Sequence, residues 1–220
     1  MLVQEIINTE IAPLKVTDTV SLAITKLDLL HVTQFPVVDE GTLIGMITID
    51  TLAEVEDESI SIAGLPLSEI VAVPNTQHLF EAARQMLASE LYLLPVTGAE
   101  KQFLGIIRKR DVLKSFGNLF NLESFGSVIT IEMYPFDYTL TEAVRLIETE
   151  GAKILGIAVE QPNSEYGFYR VSIKLNLVDS SPVTSALNRY GYVVTSQVSS
   201  TNLEQDFSDR ADELFRYLDI

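Results

Sequence analysis

The chain has 220 residues, a formal charge of −16, 47% hydrophobic residues and no cysteine. That apolar content excludes a disordered chain, the missing cysteines exclude disulfides, thiolate nucleophiles and Cys-type zinc sites, and the acidity argues against nucleic acid or an anionic membrane as the main partner. No apolar run approaches the roughly 18 residues needed to span a bilayer, and Met1-Leu2-Val3-Gln4-Glu5 lacks the basic start of a signal peptide, so a cytoplasmic protein is the simplest expectation.

Residues 1–12 read as a short lead-in helix with Leu2, Ile6 and Ile7 on one side. Leu14-Lys15-Val16 is extended. Thr19 is a plausible N-cap, because its hydroxyl can accept an orphan N–H. Val20, Ala23, Ile24 and Leu27 then recur at i, i+3, i+4 and i+7, a buried helical stripe. The stretch from Phe35 to Thr48 reads as two strands joined at Gly41, which can supply the positive φ of a short hairpin. A second helix starts near Asp50. The acidic run Glu54-Val55-Glu56-Asp57-Glu58 reads as a solvated linker in preference to a metal site.

The same plan then restarts. Ile70 to Val73 is extended, and Pro74-Asn75-Thr76 is a turn. Leu79, Ala82, Ala83 and Met86 repeat the stripe. Leu94 to Thr97 and Phe103 to Arg108 repeat the strand pair, with Gly98 in the position of Gly41. The closing helix runs from about Lys109 to Phe116 and ends at Gly117-Asn118. Each unit is β-α-β-β-α, and about sixty residues is small for an independent core, so the two units share one. An internal repeat of this kind places function between the copies. Lys101, Arg108, Lys109, Arg110 and Lys114 form the one dense basic segment, able to hold a small anion. Lys101, Lys109 and Lys114 read more simply as solvated.

Residues 118–125 are a connector whose apolar spacing suggests packing. From Gly126 the pattern changes. Val128–Tyr134 is a strand, and Thr139-Leu140-Thr141-Glu142 has capping-box form ahead of a helix. Ile154–Val159 is a second strand. A third alternates, with Tyr169, Val171, Ile173, Leu175 and Leu177 facing one way and Arg170, Ser172, Lys174 and Asn176 the other. This is a sheet with one wet face. Ser181-Pro182 opens a helix as N-cap and N1, and Tyr192–Val198 is the last strand. The order βαββαβ is a split βαβ sandwich. A final helix is expected from about Ser208, with Phe207, Ala211, Leu214, Phe215 and Leu218 apolar.

The helix stripe, Pro36-Val37-Val38-Asp39 and the glycine-led strand Gly45-Met46-Ile47-Thr48, each with its copy, resemble a tandem pair of CBS motifs over residues 1 to about 118. Residues 126–200 resemble an ACT domain in element order and length, although Pro135-Phe136-Asp137-Tyr138 stands where such domains often carry a glycine. The arrangement is similar to acetoin-utilisation-type CBS-CBS-ACT proteins. The fold class is then α+β. Two CBS units occupy about 1–60 and 61–118, a connector spans 119–125, a ferredoxin-like ACT-like domain spans 126–200, and a helical tail spans 201–220.

The resemblance implies a non-catalytic regulatory protein. Its ligand is an adenine nucleotide or S-adenosylmethionine held in the cleft between the CBS units, with a further small metabolite at the ACT-like part. The family motif is Gly, apolar, any residue, Thr or Ser, two of any kind, then Asp. The hydroxyl takes phosphate and the carboxylate takes ribose. The first copy has Gly45 and Thr48, but Thr51 stands in the Asp position and Asp50 is one place early. The second has Gly105 and Asp111, with Arg108 replacing the hydroxyl residue. Each half keeps one of the two polar contacts. Arg108 can take phosphate as a charge-assisted fork and Asp111 ribose; the competing reading has Asp111 capping the helix and Arg108 on the surface. The resemblance implies that Val32, Thr33, Gln34 and Phe35 in the first copy, and Tyr92, Leu93 and Leu94 with Pro95 in the second, form the slot for the base.

His31 and His78 have no partner tied to them by spacing, and neither a Gly-rich phosphate loop nor an H-E-x-x-H motif is present, so an enzyme ranks third. A ligand-free interaction module, acting as a dimeric scaffold, is the alternative to a sensor. Tyr134, Tyr138, Tyr166 and Tyr169 gather near the loops of the third element, where packing is the simplest role. No metal or catalytic cofactor is implied. A homodimer and a regulated protein partner are expected on both main readings.

Overall fold

Thr19 caps the first helix as expected: its Oγ1 accepts the Leu22 N–H at 3.3 Å. The structure, a computed structural model, describes residues 1–199. The expected tail helix around Phe207, Ser208, Ala211, Leu214, Phe215 and Leu218 lies outside the described residues. Two units are distinguished, Met1–Ser115 and Phe116–Ile220.

In the first unit, β1 (Leu14–Lys15), α1 (Val20–Leu30), β2 (Gln34–Asp39), β3 (Thr42–Thr48) and α2 (Ile49–Ala53) are followed by the repeat β4 (Val73–Pro74), α3 (Leu79–Ala88), β5 (Leu93–Thr97), β6 (Phe103–Arg108) and α4 (Lys109–Leu119). The sheets run β1-β2-β3 and β4-β5-β6. In each, the short first strand is parallel to the second and the third antiparallel to it. Val20, Ala23 and Leu27 of α1 and Leu79, Ala82 and Met86 of α3 are buried, as the helical spacing requires. Leu93 and Ile106 of the second copy pack into the same apolar cluster as Leu14, Phe35, Val37 and Ile47 of the first. The two copies share a core, where each buried aliphatic side chain contributes about 1.5–3 kcal/mol.

Several expectations are corrected. Residues 1–12 are not a helix. One 3-10 turn spans Val3–Glu5, and the chain then bridges β6, with Asn8 opposite Ile106. The sheet edge offers these backbone groups partners that a short isolated helix cannot. Gly41 has φ +83, as its hairpin needs, but Gly98 has φ −91; Glu100 and Lys101 carry the positive φ in the longer second hairpin. The acidic run is solvated as expected, with Glu54, Glu56, Asp57 and Glu58 exposed, and it is anchored at its end, where the Glu58 and Ile60 carbonyls accept the Ser21 and Val20 N–H groups at the start of α1. Helix α4 runs on past Gly117 to Leu119 and ends in a Schellman motif. There Asn121, at φ 51, donates its N–H to Asn118 O, and the Leu122 N–H reaches Gly117 O.

The second unit contains β7 (Ser127–Met133), α5 (Leu140–Thr149), β8 (Ile154–Glu160), β9 (Tyr169–Leu175), α6 (Ser181–Arg189) and β10 (Val193–Ser199). They form an antiparallel sheet of order β10-β7-β9-β8, the split βαβ arrangement. Val171, Ile173 and Leu175 are buried with Ile129 and Ile131 of β7, Leu146 and Ile147 of α5, and Leu187 of α6. The opposite face is wet only in part. Phe120 packs over Gly156, and Phe120 and Leu122 line a hollow of about 290 Å³ on it with Val128, Ala158, Ser172 and Lys174. The Thr139 hydroxyl makes no cap, because Glu142 pairs instead with Arg145 at 2.6 Å. Ser180, not Ser181, is the N-cap of α6, and Asp179 Oδ1 accepts the Ser181 N–H at 2.9 Å. The tyrosines pack on one another: Tyr138 against Tyr169 at 4.3 Å, and Tyr134 and Tyr166 each against Phe168.

Candidate functional site

Helices α1 and α3 end alike. His31 and Glu90 both take left-handed backbone at φ 53. The next residue closes the helix, Val32 N–H to Leu27 O at 3.0 Å and Leu91 N–H to Met86 O at 2.9 Å. These Schellman closures aim the chain straight into β2 and β5 and satisfy the last helical carbonyls. They also set the residues just before the two strands, where the base slot is expected.

A cavity of about 320 Å³ opens there, lined by Leu29, Leu30, His31 and Val32 of the first copy and Tyr92, Leu93, Arg108, Lys109 and Arg110 of the second. That volume lies at the lower end of the roughly 300–1,000 Å³ of small-molecule sites. The lining combines apolar and aromatic side chains with three cations, and it includes no carboxylate. In a chain of net charge −16 this is a local reversal of sign. It favours an anion, because charges facing a concave, low-dielectric wall interact more strongly than on an open surface.

Arg108 ends β6. Its Nε donates to Asp111 Oδ2 at 2.8 Å and its Nη2 to Asp111 Oδ1 at 3.1 Å, while its backbone N–H also donates to Oδ2 at 3.3 Å. Asp111 thus caps the start of α4, as one expectation held, but Arg108 is not a surface residue: its side chain is 19% exposed and that of Asp111 24%. Arg108 lines the cavity and Asp111 does not. Lys109, expected to be merely solvated, holds its Nζ 5.0 Å from the Tyr92 ring centroid at the cavity wall.

The first copy is organised differently. Thr48 is the N-cap of α2: its Oγ1 accepts the Thr51 N–H at 3.2 Å and lies 3.0 Å from Thr51 Oγ1. Asp50 is exposed in the first turn of α2. A second hollow of about 430 Å³ is lined by Ile24, Thr25, Leu27, Asp28, His31, Val32, Thr33 and Ile49, so it includes Thr33 but not Thr48, Asp50 or Thr51.

Of the residues expected at the base slot, Val32, Tyr92 and Leu93 line the first cavity and Val32 and Thr33 the second, whereas Phe35, Leu94 and Pro95 are buried and line neither. The reason is that β2 and β5 are covered on both faces, so the consecutive residues 35–38 and 93–96 all lie in the core. Leu29, Leu30 and His31 escaped the sequence reading. Their signal was the end of the α1 stripe, which lies beside the base slot in space. His78 is a helix N-cap whose Nδ1 accepts the Phe80 N–H at 3.3 Å. Among the described residues no group of three His, Asp or Glu side chains could hold a metal, and no helix is long and apolar enough to cross a membrane.

Over 111 residues, 50% of its length, the chain is 29% identical to inosine-5′-monophosphate dehydrogenase of Methanocaldococcus jannaschii, of which it spans only 22%. A CBS domain pair/ACT domain protein of Thermotoga maritima is 19% identical, with a TM-score of 0.47 over 53% of this chain and 96% of that one. CBSX2, solved in complex with AMP, is 22% identical, with a TM-score of 0.45 over 52% of this chain and 95% of that one. The CBS domain family matches residues 3–58 and 62–118, more than half of the chain and both halves of the repeat, and the protein belongs to that family as a tandem CBS pair.

Proposed function

We propose that this protein is a non-catalytic regulator that binds a phosphate-bearing adenosine ligand in the cleft of its CBS pair. The observation that carries the proposal is the 320 Å³ cavity, whose lining combines Tyr92, Leu93, Leu29, Leu30 and Val32 with Arg108, Lys109 and Arg110. A planar base suits the first group, and a phosphate suits the second, with a guanidinium as a fork donor. Both copies contribute to the lining, so a bound ligand contacts both halves of the pair. The hollow near Thr33 is the weaker first-copy site, with Thr25, Asp28 and Thr33 among the polar residues of its lining; Thr48, Asp50 and Thr51 lie outside it. The proposal extends to an ACT-like role for the second unit, supported by its βαββαβ order, with a small metabolite as ligand. It also includes a cytoplasmic homodimer that acts on a partner protein.

The test is a thermal-shift titration with AMP, ADP, ATP and S-adenosylmethionine. A ligand at one hundred times its Kd adds about 2.7 kcal/mol, which for a chain of this size raises the midpoint by roughly 5–10 °C. Arg108→Gln should abolish the shift. If no adenosine compound moves the midpoint, the proposal is wrong. A ligand-free dimeric scaffold is then the better reading. It is favoured by the first copy, where the Thr48 and Thr51 hydroxyls satisfy each other.

A further inference from the structure

Resting on that reading of the cleft, we infer that Asp111 is a positioning residue for Arg108 rather than a contact for ribose, so that the cleft selects its ligand by the anion and not by the sugar hydroxyls. An ionised carboxylate offers about four lone-pair positions. Asp111 has committed three of them to Arg108: Oδ2 accepts both the backbone N–H and Nε, and Oδ1 accepts Nη2. A ribose diol needs two acceptors side by side, and one is left. The Arg110 guanidinium, 3.8 Å from Oδ1, crowds that remaining position.

The same geometry gives Asp111 another task. It grips the side edge of the guanidinium, Nε with Nη2, and leaves the end edge, Nη1 with the second hydrogen of Nη2, unused by the pair. That end edge is the part of an arginine that takes two oxygens of a phosphate at once. Arg108 lines the cavity, and Asp111 stands outside the lining. A long side chain that would otherwise sample many rotamers is therefore held in one, and the entropy of ordering it is lost on folding rather than on binding. Lys109, over the Tyr92 ring, and Arg110 supply further positive charge in the same lining.

The test uses the whole protein and calorimetric titration with AMP, 2′,3′-dideoxy-AMP, adenosine and inorganic pyrophosphate. The expected result is that removing both ribose hydroxyls changes affinity less than about threefold, while removing the phosphate costs roughly tenfold or more. Asp111→Ala should weaken AMP and pyrophosphate about equally, by roughly tenfold, and Asp111→Asn should recover part of that because its Oδ1 still accepts from Arg108. Both variants are first checked for an unchanged circular-dichroism spectrum, and the Asn variant keeps an acceptor for the Arg108 N–H. If dideoxy-AMP instead binds tenfold more weakly than AMP, Asp111 holds ribose and the inference fails while the proposed function stands. If no adenosine compound binds but pyrophosphate does, and Arg108→Gln removes it, the proposed function fails and the anion site stands. If nothing binds, both fail.

Discussion

Asn8 and Ile106 exchange two backbone hydrogen bonds, Asn8 N–H to Ile106 O at 2.8 Å and Ile106 N–H to Asn8 O at 3.0 Å. Ser68 and Met46 make the same exchange at the equivalent place in the first copy, at 2.8 and 3.3 Å. The segment ahead of each copy therefore seals the glycine-led strand of the other. This cross-bracing holds the two copies at a fixed spacing, which the cavity between their pre-strand residues requires.

Gly105 is the tightest point of that brace. A Cβ there would stand 2.5 Å from Ile7 Cγ2 and 2.6 Å from the Asn8 carbonyl oxygen, at φ +148. The Ile7 side chain can yield, but the Asn8 carbonyl cannot move without breaking the Asn8–Ile106 pair. Gly105→Ala should cost about 2–4 kcal/mol from overpacking and backbone strain together. Gly45→Ala meets Leu67 at 2.6 Å but has no positive φ, so it should cost less. Urea denaturation of both variants gives the order, and an equal loss would show that the backbone conformation at Gly105 carries no penalty.

Thr48 has a local role that is measurable apart from any ligand. As N-cap of α2 it satisfies the Thr51 N–H, and removing such a cap costs about 1 kcal/mol. Thr48→Ala should lower stability by that amount, while Thr51→Ala, which loses only the hydroxyl-to-hydroxyl contact, should lower it by less. Neither substitution should change AMP affinity at the Arg108 cavity. An altered affinity would place the ligand at the first copy instead.

How much of this was legible in the sequence depends on whether the determinant was local. The stripes of α1 and α3, the Thr19 cap and the Gly41 turn are fixed by neighbours within one or two turns of chain, and the repeat made them visible twice. Residues 1–12 misled because their partner, β6, is about a hundred residues away; without it, Leu2, Ile6 and Ile7 look helical. Gly117 misled because a glycine is the usual stop, whereas here Asn121 takes the left-handed position. At the site, Arg108 and Asp111 stand out through the motif of the family that the chain resembles, but their mutual fork does not, since it depends on which way α4 leaves β6. Phe35, Leu94 and Pro95 looked exposed to a ligand only because strand direction within a shared core is a property of both copies at once.

Glu81 offers a pH test in the second copy. The guanidinium of Arg84, 2.6 Å away, and then the Gln85 amide hold its carboxyl at about 2. Its folded value lies below its unfolded one, so the contribution is present above the ordinary glutamate range and is lost as pH falls from about 4.5 through about 2. Carboxyl NMR should show a midpoint near 2 for Glu81, and Arg84→Ala should raise it toward the ordinary glutamate value, with the remaining Gln85 bond keeping it below that value. The pair is exposed, so the difference in unfolding midpoint between wild type and Arg84→Ala should be small, weaken with salt and vanish at the acid end of that window.

Within the second unit, Asn121 ties the connector to the sheet. Its φ is 51 and its Nδ2 donates to the Leu155 carbonyl at 2.8 Å, while Lys174 Nζ reaches the neighbouring Leu122 carbonyl at 3.0 Å. Two separable effects meet in one residue: tolerance of left-handed backbone, and a side-chain donor. Asn121→Ala loses both and should cost about 2 kcal/mol, whereas Asn121→Gly keeps the backbone tolerance and should cost about 1. Asn121→Asp retains some left-handed preference but sets a carboxylate oxygen against the Leu155 carbonyl, so its loss should exceed that of glycine and shrink as the carboxyl is protonated below about pH 4. Denaturation at pH 7 and pH 3 distinguishes these terms. Equal losses for alanine and glycine would mean that the hydrogen bond to Leu155, and not the helix-ending conformation, fixes the connector in place.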